Sequence, residues 1–363
     1  MKNTFGNNIG ITLFGESHGE AIGCVLDGIA PGIEVDEDFF ALQMEKRKGI
    51  SSISTPRREA DRVRILSGVF EGKTTGTPIA IMIENQSQHS KDYSATKDLA
   101  RPSHADYTAQ CKYGGFQDYR GGGHFSGRIT APIVAAGAVC LKALSKKGIE
   151  IGTHIACCGG VKDRAFHCLS EDIALLKEKE MPVLCENAEK EMIAAIEKAR
   201  NEGDSVGGVL TTAVTGVPAG VGEPWFDTAE GVLSHALFSV PGIKGVEFGA
   251  GFAFSEMKGS QANDPFFTKY GRVQTKTNNN GGINGGITNG MPIVFSCAVK
   301  PTPSIFKEQE TVNFKTNENT VLSIKGRHDP AIIHRARVVV DSVTAITLCD
   351  LLAGRFGTDW LGE

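Results

Sequence analysis

Four short clusters in the sequence combine a histidine or an arginine with small neighbours. They read Phe14-Gly-Glu-Ser-His18-Gly19, Arg101-Pro-Ser-His104-Ala-Asp106-Tyr107, Tyr119-Arg-Gly-Gly-Gly-His124-Phe125-Ser126-Gly-Arg128 and Gly326-Arg327-His328-Asp329-Pro330. Glycine lets the backbone approach a ligand closely, and histidine titrates near neutral pH. A lone histidine is more often structural than catalytic, but four such clusters in one chain predict a functional site built from loops.

Arginine occurs in three of these four clusters, and it indicates an anionic ligand. The arginines are Arg101, Arg120, Arg128 and Arg327, joined by Arg47, Arg57 and Arg58. Guanidinium groups pair with phosphates and carboxylates in a bidentate manner. Arg128 also opens a predicted buried helix, whose N-terminal N–H groups favour anions. Arg57 and Arg58 are better explained as solvated surface charge.

Two further loops suggest what accompanies the anion. The stretch from Asn278 to Gly286 has few side chains, so a flat ring could lie against its backbone. The loop Lys300-Pro-Thr-Pro-Ser304 offers one charge and two hydroxyls on a stiff backbone. An anion together with a flat ring predicts a nucleotide-like cofactor.

Other site chemistries fit the sequence less well. The run from Ser67 to Thr74 lacks the first glycine of a phosphate-binding P-loop and leads into a strand rather than a helix. The histidines show no i,i+4 pairing and the cysteines no ligand spacing, so no metal site is predicted. A hydrolase dyad of Ser17 and His18 would need a distant partner.

The periodicity of apolar residues predicts the elements that position these loops. The predicted strands are Ile9–Phe14, Ala21–Leu26, Pro78–Ile83, Gly208–Val214 and Pro292–Val299, and the predicted helices are Asp36–Lys46, Arg128–Lys147, Glu186–Asn201 and Asp341–Ala353. The second and fourth helices are apolar on nearly every side, as interior helices are. We therefore expect central helices covered by sheets.

Two pairs of segments share their spacing and their order along the chain. Gly72-Lys-Thr-Thr-Gly-Thr-Pro-Ile79 matches Gly286-Ile-Thr-Asn-Gly-Met-Pro-Ile293, and Gly28-Ile-Ala-Pro-Gly-Ile33 matches Gly216-Val-Pro-Ala-Gly-Val221. The matches are explained either by generic turn-to-strand junctions or by an internal repeat. A repeat would give the fold two related lobes.

Composition sets outer limits on the function. The 363 residues include 44 glycines and carry a formal net charge of −4, with 40% hydrophobic residues. Such a chain is globular, and it lacks the basic face of a general nucleic-acid binder. We expect no membrane span, no signal peptide, and nine scattered cysteines that stay reduced in the cytoplasm.

Taken together, these motifs resemble those of the chorismate synthase family. The resemblance rests on Gly-Glu-Ser-His-Gly, Arg-Pro-Ser-His-Ala-Asp-Tyr, Tyr-Arg-Gly-Gly-Gly, Ser-Gly-Val-Phe-Glu-Gly-Lys-Thr-Thr-Gly, Lys-Pro-Thr and Gly-Arg-His-Asp-Pro, and it runs from about Phe14 to Leu352. It implies an α+β fold, a β-α-β sandwich with central buried helices between antiparallel sheets, in one domain over residues 1–363. It also implies a cytoplasmic homotetramer that binds neither nucleic acid nor membranes.

The activity implied by the resemblance is a lyase reaction. The family converts 5-enolpyruvylshikimate 3-phosphate to chorismate by 1,4-anti elimination of phosphate and requires reduced FMN. The requirement is chemically reasonable, because the lost proton is on an unactivated carbon that no side-chain base removes near neutral pH. An alternative is a bifunctional member that also reduces FMN with NADPH, and a non-catalytic anion- or RNA-binding module is a third hypothesis that the composition disfavours.

The resemblance also implies roles for individual residues. His18 would be the general acid near the leaving phosphate, His104 would protonate or hydrogen-bond flavin N1, and Asp329 with Ser126 would help deprotonate flavin N5. An anion clamp for substrate, phosphate or NADP would comprise Arg47, Arg101, Arg128 and Arg327. FMN contacts would come from His124, Phe125, Ser126, Pro241, Gly242, Gly285, Lys300, Pro301, Thr302, Pro303, Ser304 and Arg327.

Three segments depart from the family's usual pattern. The run Lys46-Arg47-Lys48-Gly49-Ile-Ser-Ser52 lacks a second arginine, for which Lys46, Lys48 or Arg57 would have to compensate. His124-Phe125 stands where the family commonly has a permanent cation, and Pro241-Gly242 replaces a more usual Asn-Ala. These departures affect the contacts expected for phosphate, NADP and FMN.

Overall fold

The computed structural model describes residues 2–50, 53–54, 61–86, 97–324 and 328–363. The strands are β1 (Thr4–Phe5), β2 (Gly10–Gly15), β3 (Ala21–Asp27), β4 (Val63–Ile65), β5 (Val69–Phe70), β6 (Lys73–Thr74), β7 (Ile79–Glu84), β8 (Glu150–Cys158), β9 (Val161–Lys162), β10 (Gly208–Thr215), β11 (Ile243–Phe248), β12 (Phe266–Lys269), β13 (Arg272–Thr275), β14 (Ile283–Asn284), β15 (Ile287–Thr288), β16 (Ile293–Val299), β17 (Gln309–Asn313) and β18 (Glu318–Leu322). The helices are α1 (Glu37–Lys46), α2 (Asp106–Tyr113), α3 (Thr130–Lys146), α4 (Leu169–Glu178), α5 (Glu186–Asn201), α6 (Ala229–Ser239), α7 (Gly259–Ala262) and α8 (Ile333–Phe356).

Two antiparallel five-stranded sheets enclose two central helices. The first sheet has the order β1-β2-β3-β7-β4 and the second the order β11-β16-β10-β8-β9. Helix α3 packs on β3 and β7 of the first sheet, α8 packs on β8 and β10 of the second, and the two helices contact each other. Helices α4 and α5 cover the outer face of the second sheet. The predicted α+β sandwich with buried central helices is thus confirmed.

The central helices can pack closely because small residues line their contact. A Cβ added at Gly137 would lie 2.3 Å from the Cβ of Ser342, a distance that only glycine tolerates. Further along, the Cys349 thiol donates to the Cys140 carbonyl at 3.7 Å. Since both contacts advance in the same direction along the two helices, α3 and α8 run the same general way, and their N-terminal ends lie at the same side of the molecule.

The internal repeat is real, because the two halves make equivalent hydrogen bonds. In the first half, Thr74 Oγ1 accepts from Ile33 N–H at 2.9 Å and donates to the Ala30 carbonyl at 2.6 Å. In the second, Thr288 Oγ1 accepts from Val221 N–H at 3.0 Å and donates to the Pro218 carbonyl at 2.7 Å. Four strands of each five-stranded sheet and two helices of each half also follow in the same order, β2-β3-α1-β4-β7-α3 and β8-β10-α6-β11-β16-α8, with other elements lying between them.

The N-terminal segment is tied to the last long helix. The carboxylate of Asp350 in α8 accepts backbone N–H groups of Asn7, Asn8 and Ile9, the last two at 2.6 and 2.9 Å. This contact joins residues more than 340 positions apart and anchors the start of the first sheet to the core.

All five predicted strands and all four predicted helices occur, with one large difference in bounds. The helix predicted at Asp341–Ala353 begins eight residues earlier, at Ile333, and ends at Phe356. Ser67–Thr74 forms the turn-linked strands β5 and β6, so the P-loop interpretation is correctly rejected. By length and composition, the helical stretch Gly127–Lys146 could cross a membrane, but 78% of its apolar window is buried inside the fold.

Candidate active site

The first part of the site forms where the loop after β2 meets the triglycine loop. Ser17 N–H donates to the Gly123 carbonyl at 3.1 Å, and Ser17 Oγ lies 3.0 Å from His18 Nδ1. The imidazole of His18 is buried, with 6% of the residue exposed. A Cβ added at Gly121 would lie 2.1 Å from His18 Cε1, and Gly121 has φ +58°. The triglycine sequence therefore allows the backbone to close directly over His18.

A buried carboxylate joins two of the predicted arginines. Asp61 Oδ2 lies 2.9 Å from Arg47 Nη2, and Asp61 Oδ1 contacts Arg128 Nη1. The three side chains are 4%, 11% and 8% exposed for Asp61, Arg47 and Arg128. Arg128 Nε also donates to Asn85 Oδ1 at 3.0 Å, while Asn85 Nδ2 donates to the Gly19 carbonyl at 2.9 Å. Two guanidinium groups are thereby fixed beside the His18 loop.

The second part of the site is built around His104. Its Nε2 lies 2.9 Å from Ser304 Oγ, and Lys300 Nζ donates to the Ser103 carbonyl at 2.7 Å. Arg101 binds Asp106 in a bidentate manner, through Nε at 2.8 Å and Nη2 at 2.7 Å. These contacts hold the 101–106 loop against the loop that follows β16.

The electrostatics of this second part favour an anion. Burial, and then the nearby Arg101, lower the pKa of His104 to about 4, so its imidazole is neutral at pH 7. Burial, and then the neighbouring Lys244, lower the pKa of Lys300. A bound anion would offset the repulsion among these cationic groups.

The start of α8 connects the two parts. Asp329 Oδ2 lies 3.1 Å from Arg335 Nη2, and the latter atom is 2.3 Å from where a Cβ on Gly49 would be. Ser54 Oγ lies 2.8 Å from Nε2 of the buried His334. The segment carrying Arg47, Gly49 and Ser54 therefore touches both the Asp61 group and the first turn of α8.

Both parts lie at equivalent ends of the two halves. Arg128 precedes the first residue of α3 by two positions, and Asp329 precedes α8 by four. Asn85 follows β7 and Lys300 follows β16, which are the matching strands of the repeat. Because α3 and α8 start at the same side of the molecule, the positive ends of both helix dipoles face this region.

Two buried polar atoms in the second part make no hydrogen bond with any described residue. They are Thr302 Oγ1 and His328 Nε2. A buried polar atom without a partner costs about 1–3 kcal/mol. Such atoms beside Lys300 and Arg101 suit a ligand that carries both an anionic group and hydrogen-bonding ring atoms, as FMN does.

The predicted site residues fall into four sets in the structure, of which Gly285 alone forms the last. His18, Arg47, His124, Phe125, Ser126 and Arg128 belong to the first part, where His124 Nδ1 lies 2.7 Å from the Gly15 carbonyl and Ser126 Oγ accepts from Arg128 N–H at 3.3 Å. Arg101, His104, Pro241, Gly242, Lys300, Pro301, Thr302, Pro303, Ser304 and Asp329 belong to the second, where Lys300 N–H donates to the Gly242 carbonyl at 2.9 Å. Arg327 and Arg57 lie outside the described residues.

Gly285 lies apart from both groups. It is in the turn between β14 and β15, which packs near the Ile293 end of β16, whereas Lys300 follows the Val299 end. The seven residues of β16 separate the two ends by about 20 Å. The FMN contact predicted for Gly285 stays a prediction.

Several residues that shape the site carried no recognisable signal in the sequence. They are Asp61, Asn85, Ser54, His334 and Arg335. Asp61, Asn85, Ser54 and His334 meet their partners only through the folded chain, with separations such as 67 residues between Asp61 and Arg128. Among the described residues, no group of three or more His, Cys, Asp or Glu side chains could hold a metal ion.

Buried helices between two sheets, with histidines and arginines where both helices begin, define an enzyme of the α+β class with a cationic site for a small molecule. The sequence profile of chorismate synthase matches residues 9–353. The chorismate synthase of Dehalococcoides mccartyi is 47% identical over 359 residues, covering 97% of this chain and 96% of the relative. That of Pyrococcus abyssi is 47% identical over 350 residues, covering 96% and 97%.

A solved crystal structure of chorismate synthase superimposes with a TM-score of 0.77 at 30% identity, covering 98% of this chain and 94% of that one. The chain belongs to the chorismate synthase family.

Proposed function

We propose that this protein converts 5-enolpyruvylshikimate 3-phosphate to chorismate and phosphate by 1,4-anti elimination, with reduced FMN bound. The observation that carries the proposal is the arrangement of His18, the Arg47–Asp61–Arg128 group and His104 at the starts of the two central helices. Membership of the chorismate synthase family supports it.

In this proposal the first part of the site binds the phosphate that leaves. Guanidinium groups pair well with phosphate oxygens, and Asn85 and Asp61 fix the direction of Arg128. Ser17 Oγ, 3.0 Å from His18 Nδ1, orients the imidazole. His18 then donates a proton to a phosphate oxygen as the C–O bond breaks, which lowers the charge of the leaving group.

The second part of the site would hold the cofactor. When bound, reduced FMN would lend electron density to the substrate as phosphate leaves and recover it as the substrate hydrogen departs, so the reaction would have no net redox change. Lys300, Thr302 and Ser304 would bind it, with the Thr302 hydroxyl gaining the partner that it lacks among the described residues. His104 is neutral at pH 7, so it would hydrogen-bond the ring before any proton moves.

Asp329 is the proposed proton acceptor at flavin N5. Its carboxylate is 12% exposed and lies 3.1 Å from Arg335 Nη2, which fixes its orientation. Ser126, proposed as its partner, lies in the first part of the site, where its hydroxyl caps the turn that carries Arg128. A cytoplasmic homotetramer is proposed on the family resemblance alone.

The test is an anaerobic assay of purified protein with enolpyruvylshikimate phosphate, with and without dithionite-reduced FMN. Chorismate should form only with the reduced cofactor, and its formation without flavin, or its absence with it, would refute the proposal. His18→Asn should lower turnover about 10²-fold or more, the range for a proton-transfer group. The matched control is His167→Asn on an exposed residue outside the site, which should leave turnover unchanged.

A second arm separates the two family activities. NADPH and oxidised FMN replace the reduced cofactor, with no other reductant present. Sustained turnover would indicate the bifunctional type, whereas turnover only after dithionite treatment would indicate the lyase alone.

A further inference from the structure

We propose that His328 is a further ligand-binding residue of this site, whose Nε2 hydrogen-bonds the FMN cofactor. The inference rests on the proposed function, since it takes FMN as the ligand of the second part. His328 belongs to the Gly326–Pro330 cluster, in which the resemblance implies roles for its neighbours Arg327 and Asp329 but none for the histidine itself.

The position of His328 places it inside the second part of the site. It directly precedes Asp329, and its ring centroid lies 6.0 Å from that of Phe306, two residues beyond Ser304. Burial, and then the charge of Arg101, lower the pKa of His328; burial and Arg101 also lower the pKa of His104, to which His328 makes a smaller contribution. His328 is therefore near the charged groups of the loops that would bind the cofactor.

The main observation is the state of its Nε2 atom. This atom is buried, yet it makes no hydrogen bond to any residue that the structure describes. Its neighbour His104 is different, because His104 Nε2 is paired with Ser304 Oγ. An imidazole nitrogen that is withheld from water and has no protein partner costs stability unless a ligand satisfies it.

The chemistry of the ligand follows from the surroundings. Burial, as the first cause, holds the pKa of His328 below its ordinary value, so the ring is neutral at pH 7 and Nε2 is either a single donor or a single acceptor. FMN offers ring carbonyl oxygens and phosphate oxygens to a donor, and ring N–H groups to an acceptor. A neutral hydrogen bond to a ring atom adds direction without adding another cation to a site that already contains Arg101 and Lys300.

The competing explanation is that His328 only packs against Phe306. Leucine fills a similar volume without hydrogen-bonding atoms, while the amide of glutamine reaches about as far as Nε2. A purely structural role predicts that His328→Leu preserves cofactor binding and that His328→Gln has no advantage over it. A binding role predicts that His328→Leu weakens cofactor binding and that His328→Gln retains most of it.

The experiment titrates the purified full chain with oxidised FMN and follows the quenching of flavin fluorescence. His328→Leu should bind FMN about 3- to 10-fold more weakly, the loss expected for one neutral hydrogen bond, and His328→Gln should recover most of the affinity. His167→Gln, at an exposed histidine, is the matched control and should bind like the unmodified protein. A thermal melt of each variant reports whether it is folded.

A second measurement does not depend on affinity. In protein labelled with ¹⁵N-histidine, the Nε2 resonance that disappears in His328→Gln should shift when FMN is added to the unmodified protein. A resonance that does not move, equal FMN affinity in His328→Leu, or a loss seen only in titrations with enolpyruvylshikimate phosphate would overturn the assignment.

These outcomes separate the two proposals. If the unmodified protein binds FMN and His328 responds, but no chorismate forms, the proposed reaction fails while the role of His328 stands. If chorismate forms normally and His328→Leu binds FMN unchanged, only the role of His328 fails.

Discussion

Replacing Asp61 by asparagine removes one negative charge from between two guanidinium groups. Asp61 contacts Arg47 at 2.9 Å through one oxygen and Arg128 through the other, and its side chain is 4% exposed. The asparagine side chain would keep the shape, but its NH₂ group would point at a cation that already presents only N–H donors. We therefore expect Asp61→Asn to destabilise the protein while improving its affinity for simple anions.

The size of the effect follows from burial. Removing one partner of a buried ion pair typically costs about 3–5 kcal/mol. An independent estimate agrees, because two unit charges roughly 5 Å apart repel by about 3 kcal/mol at an effective dielectric constant of about 20. A domain is stable by only about 5–15 kcal/mol, so the loss should be large in an unfolding experiment.

The assay is equilibrium urea unfolding with and without inorganic phosphate. Phosphate should stabilise Asp61→Asn more than the unmodified protein, because it can take the place of the missing carboxylate between Arg47 and Arg128. The matched control is Glu150→Gln, which removes the surface pair of Lys177 and Glu150 and should cost less than about 1 kcal/mol. The reasoning is refuted if Asp61→Asn costs no more than Glu150→Gln, or if phosphate stabilises both proteins equally.

Three further predictions concern pH, backbone space and a buried hydrogen bond. Burial lowers the pKa of His334 to about 4 from an ordinary value near 6.5, so the unfolded state takes up a proton first as the pH falls. The free energy of unfolding of the unmodified protein should decline between about pH 6.5 and 4, by up to about 3 kcal/mol. In urea unfolding, the free energy of unfolding of His334→Leu should depend less on pH than that of the unmodified protein. Parallel pH dependences for the two proteins would contradict this prediction. Gly121→Ala should reduce chorismate formation, because the added methyl group displaces His18. The control Gly160→Ala has φ +85° but open space around its Cβ, so it should cost only about 1–2 kcal/mol of backbone strain and keep activity. Equal losses of activity in the two variants would rule out the displacement of His18. Ser54→Ala leaves Nε2 of His334 unpaired and should cost about 1–3 kcal/mol in the same urea assay, and an unchanged midpoint would show that the 2.8 Å contact is not stabilising.

The apolar pattern is sufficient to locate the central helices and most of the long strands. It places the start of the last helix too late because the first two turns of α8 carry His334 and Arg337, which look like surface residues. In the structure they are buried and paired: Arg337 lies 3.7 Å from Asp341, and Asp341 accepts from Thr153 Oγ1 at 2.6 Å. These buried polar residues interrupt the apolar pattern, so the pattern does not predict this part of the helix.

The strand β8 is absent from the predicted strands for the same reason. It contains Thr153 and His154, which are satisfied by Thr212 at 2.7 Å and by Asp163 at 2.9 Å. In the site, the cationic and titratable residues are recognisable because their types and glycine-rich surroundings are local features. The carboxylate and amide that orient them, Asp61 and Asn85, are not, because hydrogen bonds between distant segments leave no local pattern.

The contact between Asp350 and the backbone of Asn7, Asn8 and Ile9 has a consequence for synthesis on the ribosome. At about 5–20 residues per second, some 343 residues separate the emergence of these N–H groups from that of their acceptor by roughly 20–70 s. During that interval α3, which packs on the first sheet, also lacks its contact with α8. The surface of α3 that α8 covers in the folded protein therefore stays exposed in the nascent first half for most of translation.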